Sequence, residues 1–268
     1  MDEKNVFRHN WDKFFNNGKT VILPIDHGTV IPVPELNNAG KLIEDVSRFV
    51  DGFVVNFGLA RAYSEQLEGK GICFRTDVYK PTYKTNLDHG SYRSFTADDA
   101  LSVGANAVMN MCYTNHQFED RIYRECASLV SECIDSELPV ILESLPFGIG
   151  KPNDYTVENI SFAVRMAAEL GADVIKTAFP MDADVNDFRK IIDGSFVPVV
   201  VLGGAAMGDD IALLKMVKMS MDSGALGVAV GRNVWQHDNP TLVAKSLHAI
   251  VHEDASIEQA LKILNESV

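Results

Sequence analysis

Residues 169–178 read Glu-Leu-Gly-Ala-Asp-Val-Ile-Lys-Thr-Ala, and their order sets the fold. Leu170 closes a helical pattern, Gly171 stands where a left-handed helix cap is needed, and Asp173–Ala178 is an apolar strand. The same stop recurs at Ser102-Val103-Gly104-Ala105 and at Asp222-Ser223-Gly224-Ala225. One device at three helix ends, each leading into a strand, is what a repeating helix-to-strand unit produces.

Outward from that stretch, apolar runs of strand length alternate with helical periodicity along the chain. Strands are expected at Val21–Asp26, Gly52–Gly58, Gly71–Asp77, Ala107–Tyr113, Pro139–Leu145, Asp173–Ala178, Pro198–Gly204 and Gly227–Gly231. Helices are expected near 39–50, 59–66, 96–104, 117–136, 156–170, 185–193, 209–223 and 239–253. The strands are apolar at both alternating positions, as required where helices cover one side and a filled interior lies on the other. Eight such units in 268 residues predict an α/β protein of the TIM (β/α)8-barrel type, one domain over 1–268. Residues 1–20 read as an N-terminal extension and 254–268 as a C-terminal helical tail. An open doubly wound sheet is the rival, but GxGxxG does not follow the first strand.

The net charge of −13 argues against nucleic acid as a partner, while leaving room for a local cationic site that takes an anion. The charged start Met-Asp-Glu-Lys-Asn lacks the apolar run of a signal peptide, and no stretch approaches 18 apolar residues. Cys73, Cys112, Cys126 and Cys133 form no CxxC pair and read as reduced thiols, so a cytoplasmic protein without membrane contact is expected. Cys126 and Cys133, seven apart on one helix, belong on a packed face.

Polar residues inside doubly buried strands carry the functional signal, because an unpaired buried charge is very costly. Asp26 ends Val-Ile-Leu-Pro-Ile-Asp, Asn56 follows Val-Val, Arg75 follows Cys-Phe, Asn110 follows Val-Met, Glu143 follows Ile-Leu and Lys176 follows Val-Ile. Six strands thus bear one polar group towards their C-terminal ends, where barrel enzymes place their chemistry. A register-fixing ion-pair network would use the same residue types. Lys176 is the sharpest: desolvation disfavours its ammonium form and leaves an amine able to attack a carbonyl, unless Glu143 or Asp26 simply pairs with it. Asp26 and His27 could serve substrate hydroxyls or merely shape a turn. Glu143 is either an acid–base group or the counter-ion of Lys176.

The last two strands run into Leu202-Gly203-Gly204-Ala205 and Val230-Gly231-Arg232-Asn233. Loops after the seventh and eighth barrel strands commonly hold phosphate. Glycine lets backbone N–H groups approach it, and an arginine can fork onto its oxygens. Phe147-Gly148-Ile149-Gly150-Lys151 lacks P-loop spacing, Lys84 reads as a solvated loop lysine, and His27, His89, His116 and His237 lack HxH or HExxH spacing. Neither a metal nor a cofactor is expected.

Pro24-Ile25-Asp26-His27-Gly28, Val174-Ile175-Lys176-Thr177, Gly203-Gly204 and the segment Gly227–Gln236 (GVAVGRNVWQ) together resemble the archaeal-type class I fructose-bisphosphate aldolase family. That family also contains the aminodideoxyheptulosonate synthases and the autoinducer-2 thiolase, and the resemblance spans roughly residues 20–253. It implies a TIM barrel with the Schiff-base lysine at Lys176, an aspartate at Asp26, and phosphate at Gly203, Gly204, Gly231 and Arg232. It also implies a metal-free homo-oligomer, often of octamer to decamer size. One departure matters. The aldolases carry a tyrosine in a Tyr-Pro-Arg-Gly motif, and the matching stretch here is Leu145-Pro146-Phe147-Gly148. The thiolase resembles this chain in lacking that tyrosine and in having an arginine where Arg75 stands. Glu143, two residues before Leu145, could take over the proton work.

The expected activity is therefore a class I aldolase-type carbon–carbon lyase acting on a phosphorylated ketose or deoxysugar. Lys176, Asp26, Glu143 and His27 would do the chemistry, with Gly203, Gly204, Gly231, Arg232, Arg75 and Asn56 binding substrate. Two alternatives stand beside it: a transferase passing a fragment to coenzyme A or another acceptor, and a non-catalytic sugar-phosphate-binding barrel.

Overall fold

A computed structural model describes residues 3–80, 90–149 and 151–266. Its strands are β1 (Thr20–Pro24), β2 (Gly52–Val55), β3 (Gly71–Arg75), β4 (Asp77–Lys80), β5 (Gly90–Arg93), β6 (Ala107–Thr114), β7 (Val140–Pro146), β8 (Val174–Thr177), β9 (Val199–Leu202) and β10 (Gly227–Ala229). Eight of them pair in parallel and close into a barrel, in the order β1-β10-β9-β8-β7-β6-β3-β2. β4 and β5 stand apart as an antiparallel hairpin between β3 and β6. The TIM barrel expected from the alternating pattern is the fold observed.

Each strand sorts its side chains by the two-residue period of the pleat. Leu23, Val55, Phe74, Leu142, Ile175, Val201 and Val228 point outward into the layer beneath the helices. Ile22, Val54, Cys73, Met109, Ile141, Val174, Val200 and Ala229 point inward and form a second apolar cluster. Phe14 joins that inner cluster from the segment before β1. A Cβ on Gly52 would come within 2.5 Å of the Phe14 ring, and one on Gly71 within 2.8 Å. Glycine at these two strand starts makes room for the aromatic plug that closes one end of the barrel.

The helices fall where the periodicity places them, among them Glu119–Ser136, Val157–Glu169, Val185–Asp193, Asp210–Asp222 and Pro240–Glu253. Gly104, Gly171 and Gly224 all have left-handed φ angles, of 72°, 97° and 101°, so the repeated helix stop has the geometry its glycines suggested. Cys126 and Cys133 are buried on the Glu119–Ser136 helix, and all four thiols are free. Several boundaries differ from the sequence reading. β1 ends at Pro24, with Asp26 opening a 3-10 turn, and β2 ends at Val55 because Asn56 caps the helix Phe57–Ala62. The third barrel strand ends at Arg75, because Thr76 bonds to Met109 and the chain then turns into the β4–β5 hairpin, an element the periodicity did not announce. The last barrel strand stops at Ala229, and Gly231 instead caps the short helix Arg232–Trp235. No helix among the described residues is long and apolar enough to cross a membrane.

Candidate active site

The register of the barrel brings the buried charges together. Glu143 and Lys176 are direct partners across β7 and β8, so their inward side chains meet. Lys176 Nζ lies 2.9 Å from Glu143 Oε1, and the same nitrogen lies 4.0 Å from the Met109 sulfur. Arg75, from β3 and two strands away from β7, donates to Glu143 Oε2 at 2.6 Å and to Asp26 Oδ2 at 2.7 Å. It also reaches Asp77 Oδ1 at 3.5 Å, and Asp77 accepts a hydrogen bond from Ser91. Lys176, Glu143, Arg75, Asp26 and Asp77 are each at least 95% buried, so the network survives only through mutual pairing.

The electrostatics follow from that arrangement. Burial alone would raise the Asp26 carboxyl, but the Arg75, His27 and Lys176 charges outweigh it and hold it below the ordinary range. Burial acts on Glu143 in the same way, and Lys176 and then Arg75 overcome it. At Asp77 burial prevails over Arg75 and pushes the carboxyl up to about 6. Burial also brings the His27 imidazole down to about 4, against the pull of Asp26. His27 is therefore neutral at pH 7. Its Nδ1 lies 3.4 Å from Asp26 Oδ1, and neither atom has a hydrogen-bond partner.

Above this network opens a cavity of about 500 Å³. Lys176, Glu143 and His27 line its base, and Gly203, Gly204, Gly231 and Arg232 line one flank. Arg232 makes no ion pair with any described residue, and its buried Nε has no hydrogen-bond partner. Two of the glycines also have a packing reason. A Cβ on Gly203 would stand 2.7 Å from Val230, and one on Gly231 2.8 Å from the Pro24 carbonyl. Asn233 braces the flank: its Nδ2 donates to the carbonyls of Gly203 and Ala205, and its Oδ1 accepts from the Met207 N–H at 2.8 Å. Among the described residues, no three His, Cys, Asp or Glu side chains stand close enough to hold a metal ion.

Not every polar strand residue joins the cavity. Asp26 and Arg75 lie behind its wall and act on it through His27 and Glu143. Asn56 is not among the lining residues; its Oδ1 caps the helix Phe57–Ala62 by accepting from Leu59 N–H. Asn110 faces the helix layer, hydrogen-bonded with Thr76 and to Cys126. Lys84, His89 and Gly150 lie outside the described residues. Tyr79 and Tyr155 line the cavity, and pattern reading singled out neither. For Tyr79 a signal was present: Arg75, Asp77 and Tyr79 continue one two-residue alternation past the end of β3.

The model of the DeoC/LacD family of aldolases matches residues 20–237, from the first barrel strand to just past the Arg232 helix. The chain belongs to that family. It is a class I aldolase-type carbon–carbon lyase. It is 33% identical to a class 1 fructose-bisphosphate aldolase of Halobacterium salinarum, over 91% of this chain and 95% of that one. It is 30% identical to 2-amino-3,7-dideoxy-D-threo-hept-6-ulosonate synthase 1 of Archaeoglobus fulgidus, over 95% of this chain and 94% of that one. A solved Schiff-base-forming fructose-1,6-bisphosphate aldolase superposes with a TM-score of 0.81 at 28% identity, over 92% of this chain and all of that one. The resemblance drawn from four short motifs therefore extends to the whole aldolase barrel.

Proposed function

We propose that this aldolase forms a Schiff base between Lys176 and the ketone of a small phosphorylated ketose or deoxysugar. The observation that carries the reading is Lys176 Nζ held 2.9 Å from Glu143 at the base of a cavity whose flank presents Arg232 and the glycine loops. Glu143 takes a proton from the ammonium, and the freed amine adds to the carbonyl. Glu143 then returns the proton to the departing hydroxyl, and water leaves. The iminium so formed draws in the electron pair of the neighbouring carbon–carbon bond as that bond breaks. His27, neutral and backed by Asp26, accepts the proton of the substrate hydroxyl. Arg232, with the backbone N–H groups of the Gly203-Gly204 and Gly231 turns, holds the phosphate.

Borohydride reduction in the presence of dihydroxyacetone phosphate should leave a covalent adduct on Lys176, read by mass spectrometry of the digested protein. Lys176→Met should abolish the adduct and lower turnover on the order of 10⁴-fold or more. Absence of an adduct in the unaltered protein would reject the mechanism.

Leu145 on the cavity wall favours a second reading, in which the fragment passes to coenzyme A or another acceptor. Product analysis with and without coenzyme A separates the two. We further infer a cytoplasmic homo-oligomer. Four buried free thiols support the compartment, and the exposed Ile134, Phe162 and Phe196 support subunit contacts. Sedimentation of the purified protein tests the assembly.

A further inference from the structure

β4 extends the inward alternation of β3, so that Arg75, Asp77 and Tyr79 are all buried on one side of the chain. The antiparallel register pairs Tyr79 with Ser91, whose hydroxyl donates to Asp77. The guanidinium carbon of Arg75 stands 5.0 Å from the ring centroid, a cation–π contact that sets the ring's plane. Tyr79 lines the cavity together with Lys176, Glu143 and Arg232, and no described residue hydrogen-bonds its hydroxyl. Burial raises the phenol well above its ordinary range, so the hydroxyl facing the cavity keeps its proton at neutral pH. Leu145, two residues beyond Glu143 on β7, lines the same cavity and has no proton to give. Glu143 is already shared between Lys176 and Arg75.

We propose that Tyr79 is the group that protonates carbon in this barrel, supplying from β4 the phenol that position 145 lacks. The inference rests on the Schiff-base reading and assigns its second half. When the carbon–carbon bond breaks, its electron pair moves onto the iminium to give an enamine, and the substrate hydroxyl loses its proton to His27. The phenol O–H then gives its proton to the enamine carbon. The double-bond pair forms the new C–H bond, and the nitrogen lone pair restores the iminium. The phenolate, transiently stabilised by Arg75 beneath the ring and Arg232 in the same cavity, recovers the proton held on His27. Water adds to the iminium, the ketone leaves and the Lys176 amine is regenerated. The net change moves one hydrogen from oxygen to carbon, and the water consumed equals the water released when the iminium formed.

Exchange of a carbon-bound hydrogen of dihydroxyacetone phosphate in D2O, followed by proton NMR, isolates the protonation step, because it needs the enamine and no aldehyde. Tyr79→Phe keeps the ring over Arg75 and removes only the hydroxyl. It should slow exchange by about 10²- to 10⁴-fold, while borohydride trapping on Lys176 stays within about threefold of the unaltered protein. Exchange within about threefold of the unaltered protein would overturn the proposal. Parallel loss of exchange and trapping would also overturn it, because Tyr79 would then only be propping Arg75. Failure of the unaltered protein to trap the ketone is a separate result. It removes the Schiff-base reading and this inference with it.

Discussion

The same strands carry two different interiors. At the floor the inward residues are Ile22, Cys73, Ile141 and Val174, closed by Phe14. Two residues further along the same strands, or four on β1, the inward residues are Asp26, Arg75, Glu143 and Lys176. The backbone is the same in both layers, so the difference lies wholly in the side chains. The floor gains stability from apolar burial and needs no particular partner. The upper layer spends burial on charges that are tolerable only as a connected set. The chemistry proposed for Lys176 falls in the layer that is costly to fold, and the perturbations that separate the two layers should differ in kind as well as in size.

The largest effect is expected at Arg75. Its guanidinium touches Asp26, Glu143 and Asp77, and Arg75→Met leaves three buried carboxyl groups facing one another with only Lys176 as a cation. Removing one partner of a buried ionic set costs about 3–5 kcal/mol. Urea unfolding at pH 7 should show a loss of that size. The gap to the unaltered protein should narrow towards pH 5, because the unpaired carboxyls take up protons in the folded variant. A loss below about 1 kcal/mol would mean that the network relaxes around water, and the contrast between the layers would dissolve.

The floor was legible in the sequence and the upper layer only partly so. Uninterrupted apolar runs and the stops at Gly104, Gly171 and Gly224 define the barrel, because burial on both faces allows few other residue types. Asp26, Arg75, Glu143 and Lys176 stood out for the same reason, as charges where none should be free. Asn56 and Asn110 carried an identical signal and went elsewhere, one to a helix cap and one to the helix-facing side. A polar residue in an apolar run marks a satisfied site, and only the parity of the pleat says which side of the barrel it serves. Asn110 is one residue from Met109, which points inward, and that parity could have sorted it. Asp77, Tyr79 and the brace of Asn233 were hidden differently. They depend on a hairpin and on loop contacts between β9 and β10 that no local period encodes.

A smaller effect, specific in pH, is expected at His27. Its folded value of about 4 lies below the ordinary 6.5, so the unfolded chain binds a proton that the folded protein refuses. Its contribution is therefore fully present above pH 6.5 and is lost as pH falls towards 4. By pH 4.5 the loss amounts to about 2.5 kcal/mol. His27→Gln cannot titrate, so its unfolding free energy should fall by that much less than the unaltered protein's between pH 7 and 4.5. Parallel curves would show that His27 protonates freely and is not shielded by the Pro24–Asp26 strand end and Trp235.

The smallest effect sharpens the contrast most. Phe14 lies in the floor, against Gly52 and Gly71, and shares its apolar cluster with Met109, whose sulfur is 4.0 Å from Lys176 Nζ. Phe14→Leu removes part of the plug but leaves an apolar side chain in an apolar cluster, where such a change costs about 1 kcal/mol. If the two layers are independent, urea unfolding should record that cost while borohydride trapping on Lys176 stays within about twofold. A tenfold fall in trapping would mean that the floor sets the height of Met109, and through it the position of the lysine. Phe14 would then be part of the positioning machinery, and the division drawn from the pleat would hold for composition but not for function.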